Sequence, residues 1–214
     1  MKTVLITGAN RGIGAALASV AEQSGFDVIR ATRPGRGGDV EFDVTDPFAV
    51  KRAIAAIDLP IDILINNAGI IGPNRQATTN MDYAGMAQTF AVNVAGPLAV
   101  SNACLELLRQ SNAPRILTIS SQMAYMGYAK SDRIAYRASK AAVNKVMQGL
   151  ATDLRPDGIT VALVDPGWVR TDMGGADADL DAADVGAGII ALAENLTLGD
   201  TGKFFTWDGK EREF

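Results

Sequence analysis

Two short runs, Val4-Leu5-Ile6 and Ile63-Leu64-Ile65, are apolar at every position. Successive side chains of a strand point to opposite faces, so a strand with no polar position must be covered on both. That demand is met by a parallel sheet between two layers of helices, and it limits the possible folds more than any other feature here. The remaining pattern agrees, because apolar runs alternate with helical periodicity from end to end. Strands are predicted at 3–7, 27–31, 40–42, 61–66, 115–120, 160–165 and 203–207. Helices are predicted at 12–24, 47–57, 81–110 with an interruption near Gly96-Pro97, 134–155 and 182–195. The glycine-rich stretch 34–38 reads as a loop between two strands, too short to hold a helix of normal length. No linker, repeat or low-complexity segment divides the chain, so residues 1–214 are expected to form one α/β domain.

The first strand runs into Thr7-Gly-Ala-Asn-Arg-Gly-Ile-Gly14, and a helical pattern follows. Glycines at 8, 12 and 14 permit a tight turn and let a pyrophosphate approach the backbone at a helix N-terminus. The spacing is Gly-x-x-x-Gly-x-Gly, and the loop lacks the Gly-Lys-Ser/Thr of a nucleoside-triphosphate site. A dinucleotide is therefore expected. A site for a bare ribose hydroxyl usually places a carboxylate about 20 residues past such glycines. Here the second strand ends instead in Ala31-Thr32-Arg33, and Arg11 lies in the loop itself. Two guanidiniums suit a 2′-phosphate, which favours NADP(H) over NAD(H).

Composition removes several alternatives. The chain has no histidine, which excludes Ser-His and Cys-His nucleophilic catalysis and most zinc sites, and no metal site is expected. Its formal net charge is −4 with no basic run, so nucleic acid is not an expected partner. The single cysteine, Cys104, sits in an apolar helical run and reads as a packing residue. The chain opens on a strand, shows no cleavable-signal pattern and has no apolar run judged long enough to cross a bilayer. No membrane association and a cytoplasmic location are expected.

Tyr136 and Lys140 stand four positions apart in a predicted helix and therefore share one face. An ammonium beside a phenol favours phenolate, and such a phenol can exchange a proton with a carbonyl/alcohol pair. Around this pair stand, in order, the glycine loop, Asn66-Asn67-Ala-Gly69, Asn93, Ser120-Ser121 and Pro166-Gly167.

This ordered set resembles the short-chain dehydrogenase/reductase family, over nearly the whole chain. The resemblance implies a Rossmann-type doubly wound parallel sheet of about seven strands with helices on both faces. It implies a cofactor loop comprising Gly8, Asn10, Arg11, Gly12, Ile13 and Gly14, with Arg33 beyond it. Asp43 and Val44 would contact the adenine, and Asn67, Ala68 and Gly69 would support the sheet and the cofactor ribose. Asn93, Ser121, Tyr136 and Lys140 look like the catalytic tetrad. Pro166 and Gly167 look like the turn beside the nicotinamide, with Val169 and Thr171 at its carboxamide. Ser121 is preferred to Ser120 because Ser120 should end the strand and point to its other face. The stretch 125–133 makes the gap from Ser121 to Tyr136 longer than in much of the family and would border the substrate, with Ser120 the alternative to Ser121; the segment after Gly167 is short, so an open pocket is expected. Stretches 136–144 and 202–209 are further similar to the small C-factor-like and sniffer-like carbonyl reductases.

The roles implied are these. Tyr136 exchanges a proton with the substrate oxygen, Ser121 orients that oxygen, and Lys140 lowers the tyrosine pKa and holds the nicotinamide ribose. Asn93 holds a water in line with Lys140. Tyr136 and Lys140 would thus also border the cofactor. The expected function is an NADP-dependent oxidoreductase acting on a small carbonyl or secondary alcohol. The alternatives are a dinucleotide-binding regulatory or signalling protein with little turnover, and an epimerase or dehydratase on nucleotide sugars. Trp168 is either a lid anchor or packing, and Met123, Tyr125, Met126 and Tyr128 either line a pocket or cover the core. A homodimer through the small-residue face Ala138, Ala141, Ala142 and Lys145 is possible on this reading.

Overall fold

A computed structural model describes residues 1–214. Eight strands form one sheet: β1 (Thr3–Thr7), β2 (Asp27–Thr32), β3 (Val40–Glu41), β4 (Ile63–Asn66), β7 (Arg115–Ile119), β8 (Thr160–Asp165), β9 (Phe204–Thr206) and β10 (Glu211–Arg212). Their spatial order is β3-β2-β1-β4-β7-β8-β9-β10. All neighbours are parallel except β10, which runs antiparallel to β9 along Phe204 and Phe205. The sheet therefore has one strand more than expected. β10 is only two residues long and has no periodicity to betray it. A separate two-stranded hairpin, β5 (Gln76–Ala77) and β6 (Asn80–Met81), was invisible for the same reason.

Six α-helices cover the two faces: α1 (Gly12–Gln23), α2 (Pro47–Ile54), α3 (Tyr83–Phe90), α4 (Gly96–Leu108), α5 (Ile134–Leu154) and α6 (Ala182–Asn195). The apolar strands divide their side chains between two cores. Val4, Ile6, Ile63 and Ile65 pack with α1 and α6 on one side. Leu5 and Leu64 pack with α2, α4 and α5 on the other, where Cys104 is fully buried. Three helix starts follow from single aspartates, since a carboxylate preceding a helix accepts its orphan N–H groups. Asp46 caps α2 through Phe48 and Ala49, Asp82 caps α3 through Gly85, and Asp181 caps α6 through Ala183.

The expected interruption of the long helix is a π-helical turn, Ala91–Ala95, joining α3 to α4. With it, Tyr83–Leu108 is a continuous 26-residue stretch of mean hydropathy 1.3 in its most apolar window. By length and composition alone this could cross a bilayer, contrary to the sequence reading. Here its apolar face, including Val100, Cys104 and Leu108, is spent against the sheet. The glycine-rich segment after β2 contains no helix, as expected. The Glu41 carboxylate gathers its backbone, accepting from Gly35, Arg36 and Gly37 at 2.9, 3.2 and 2.9 Å.

Candidate active site

A cavity of about 740 Å³ runs along the carboxyl ends of β1, β2, β4, β7 and β8. Ligands of open α/β sheets bind in this place, where strand order reverses between β1 and β4. Its walls contain every predicted cofactor residue from Gly8 to Thr171, together with Ser121, Tyr136 and Lys140.

At one end, the glycine loop is locked to β4. Thr7 Oγ1 accepts from the amides of Asn67 and Ala68, both at 3.0 Å. The Asn67 amide nitrogen donates back to Thr7 O at 2.9 Å. Gly8 has φ +68°, a conformation open to glycine at little cost. Gly14 is required by contact instead: a Cβ there would lie 2.2 Å from Gly8 O and 2.5 Å from Asn67 Nδ2. Helix α1 follows Arg11 without the capping aspartate of α2, α3 and α6, and has no carboxylate in its first turn. Its leading N–H groups and dipole are thus left to the cavity, which suits an anion. A Cβ on Gly12 would come within 3.4 Å of Thr171, so the glycine loop and the turn after β8 face each other.

Beyond this loop lie Arg33, Asp43 and Val44. Hydrogen bonds from the Thr45 hydroxyl and amide to Asp43 Oδ1, at 2.7 and 2.9 Å, hold this carboxyl below its usual range, and the nearby Arg33 adds to the effect. Arg11 pairs with Asp172 at 3.0 Å on the exposed rim.

At the other end stand Ser121, Tyr136 and Lys140. Ser121 follows β7 on the wall of the same cavity as Tyr136, and its Oγ accepts from Met123 N at 3.1 Å. Ser120, as expected, points elsewhere, donating at 2.5 Å to the buried Asn144. Lys140 Nζ lies 5.7 Å from the Tyr136 ring centroid and donates to Ile119 O at 2.8 Å. Burial pushes the Lys140 ammonium down to about 8. Burial also pushes the Tyr136 phenol up to about 12; Asp165 raises it further, and Ser121 and Arg133 pull the other way. This corrects the expectation of an easily ionised tyrosine. The four-residue spacing shows that Lys140 is close, but not that desolvation outweighs it.

Asn93 sits where the long helix is interrupted. It is buried in the π turn and does not line the cavity. Its Oδ1 accepts from Ile70 N, and its Nδ2 donates to Ile70 O and to Ser139 Oγ, at 2.9, 2.9 and 3.0 Å. The side chain thus holds the loop after β4 against α5. Sequence reasoning missed Gln76, whose Oε1 accepts from Tyr136 N at 3.1 Å and whose Nε2 donates to Ile71 O at 2.9 Å. No sequence signal connects this hairpin residue to a helix 60 positions away.

Trp168 and Met123 line the cavity, and Trp168 donates to Gly174 O at 2.7 Å. Tyr125 and Tyr128 instead pack edge-to-face on each other, centroids 5.1 Å apart, and Met126 is exposed. The only non-glycine residue with positive φ, Arg133 at 51°, precedes α5 on the cavity wall.

Residues 2–180 match the family described as short chain dehydrogenase. The chain belongs to the short-chain dehydrogenase family. This dehydrogenase is 44% identical over 154 residues to the C-signal protein of Myxococcus xanthus, covering 71% of the chain and 92% of that relative. It superposes on the carbonyl reductase Sniffer of D. melanogaster with TM-score 0.91 and 27% identity, over 100% of both chains. The NADPH-bound carbonyl reductase from chicken fatty liver gives TM-score 0.90 and 28% identity, over 100% of this chain and 99% of that one. The dehydrogenase is therefore an NAD(P)-dependent oxidoreductase of the C-factor-like and sniffer-like kind.

Proposed function

We propose that the protein is an NADPH-dependent carbonyl reductase in which Tyr136 is the proton donor. The observation that carries this reading is the single cavity that gathers the glycine loop, Arg33, Ser121, Tyr136 and Lys140. A phenol with a pKa of about 12 stays protonated at neutral pH, so in that range it gives a proton rather than takes one. The cavity suits the cofactor: the Gly14 contact leaves room only for a bare backbone, and the uncapped start of α1 would favour a phosphate. Arg33, with Arg11 once released from Asp172, would hold a 2′-phosphate, and Asp43 would accept from the adenine amine. Two neighbouring folds were solved with NADP and one with NADPH, in keeping with this preference. Bound nicotinamide supplies the hydride. Ser121 orients the substrate oxygen, and Tyr136 donates the proton as that oxygen gains charge. The depressed Lys140 is then well placed to return a proton to Tyr136 near neutral pH.

Ile70, Ile71, Val92, Met123, Trp168 and Met173 make much of the substrate-side wall apolar. A ketone or aldehyde with a hydrophobic body fits it better than a sugar nucleotide. The part-exposed small face of α5, with Ala138, Ala141 and Ala142, suits a homodimer, and an intracellular location suits a reduced-nicotinamide enzyme. The test is a fluorescence titration with NADPH and NADH side by side, then turnover of apolar carbonyls by wild type and Arg33→Ala. Tighter NADPH binding that drops about tenfold in Arg33→Ala, with NADH unaffected, is expected. Equal binding of both cofactors would remove the phosphate assignment, and binding without turnover would favour the regulatory reading.

A further inference from the structure

Asp165, the last residue of β8, is an unusual neighbour for a catalytic tyrosine. It is 4% exposed, sits directly before Pro166-Gly167, and makes Tyr136 harder to ionise. A buried carboxylate is costly unless paired and hydrogen-bonded. Here both oxygens are engaged. Oδ1 accepts from Gly167 N at 3.0 Å, bracing the turn that lines the cavity. Oδ2 forms an ion pair with Arg212 Nη1. Arg212 lies on β10, two strands away, opposite Phe204 of β9. Its guanidinium crosses the Phe204 ring at 5.2 Å from the centroid, and its Nε is enclosed without a partner. Of the ion pairs in the protein, this one has the least exposed carboxylate side chain, at 6%.

We propose that Arg212 is a positioning residue for the reductase site: from the edge strand it holds Asp165, and through Asp165 the Pro166-Gly167 turn and the charge balance behind Tyr136. The charged groups facing Tyr136 are Asp165 from β8, Lys140 from its own helix and Arg133 just before that helix; Ser121 stands after β7, and Gln76 of β5 accepts from the Tyr136 amide. Arg212 offsets the one negative charge in this set. Removing it leaves Asp165 unbalanced and disfavours phenolate; neutralising Asp165 does the opposite.

This inference rests on the proposed reductase reading for its kinetic part, and a cofactor-free measurement separates the two. Full-length wild type, Arg212→Met, Arg212→Lys, Asp165→Asn and the Asp165→Asn/Arg212→Met double variant would be compared. In alcohol oxidation, the alkaline rise in rate is expected to move to higher pH in Arg212→Met, to lower pH in Asp165→Asn, and back towards wild type in the double variant. Arg212→Lys keeps the charge and should stay close to wild type. Reductive kcat/KM should fall between about tenfold and a hundredfold in Arg212→Met, as for a misplaced reacting group. Without cofactor, hydrogen exchange at the Gly167 amide should quicken in Arg212→Met and not in Arg212→Lys. A merely structural strand would lower thermal stability without shifts of opposite sign. Unchanged Gly167 exchange, or pH shifts of the same sign in the two single variants, overturns the proposal. Altered Gly167 exchange in a protein that binds no dinucleotide upholds the Arg212 link and sinks the reductase reading alone.

Discussion

Alanine placed at two glycines should have opposite effects, and the contacts say by how much. At Gly14 the new methyl group would sit 2.2 Å from Gly8 O and 2.5 Å from Asn67 Nδ2. Neither neighbour can yield freely, since Gly8 is held by Ala31 O and the Asn67 amide is bonded to Thr7 O. Overpacking of this kind costs about 3 kcal/mol at the upper end, and the better helix propensity of alanine returns at most about 1 kcal/mol. A net loss of about 2 kcal/mol lowers Tm by about 4–8 °C in a chain of this size. Gly149, in the middle of α5, has nothing within 4 Å of the added carbon. There the propensity gain of about 1 kcal/mol stands alone and raises Tm by about 2–4 °C. Thermal unfolding followed by circular dichroism, with NADPH titration of each variant, measures both. Gly14→Ala should also lose most of its dinucleotide affinity, whereas Gly149→Ala should keep it. A Gly14→Ala protein with wild-type Tm and wild-type binding would refute the contact argument and the placement of the pyrophosphate.

Other outcomes follow from the site and the core. Tyr136→Phe should lower turnover by about 10²–10⁴-fold while leaving NADPH binding intact, as separate kinetic and binding assays would show. The Lys140 pKa lies below its unfolded value, so between about pH 8 and 10 the unfolded chain binds more protons and stability rises with pH. Above pH 10 the raised Tyr136 pKa reverses the sign, because the unfolded chain then loses a proton that the folded one keeps. Tm measured across this range should rise and then fall, and Lys140→Met should lack the rise. Cys104, fully buried and pushed up to about 12 by burial, should resist an aromatic disulfide reagent until the protein unfolds.

Much of this architecture was legible because its signals are local or periodic. Strands β1 and β8 were placed at their true ends, as was α6, and the all-apolar strands announced helices on both faces. The glycine loop was legible because strand, turn and helix are adjacent in sequence. What escaped depends on packing between distant segments. Two-residue strands such as β10 exist only through their partners. Gln76 reaches Tyr136 from a hairpin without pattern. The spacing of Tyr136 and Lys140 placed them on one face but was silent about desolvation, which sets both their pKa values. Asn93 was found as a residue, but the π turn that aims its side chain at Ile70 and Ser139 is something sequence periodicity does not register.

The partition of the interior by the sheet also bears on how this protein can change. Val4 and Ile6 belong to one core and the intervening Leu5 to the other, so neighbours in sequence answer to different surroundings. Substitutions that share no partner usually combine additively. A library that varies the α1–α6 side and another that varies the α2–α4–α5 side can thus be screened separately and their winners merged. For laboratory evolution the molecule is two modest search problems, and the candidate cleft at the strand ends is a third that need not be reopened to solve them.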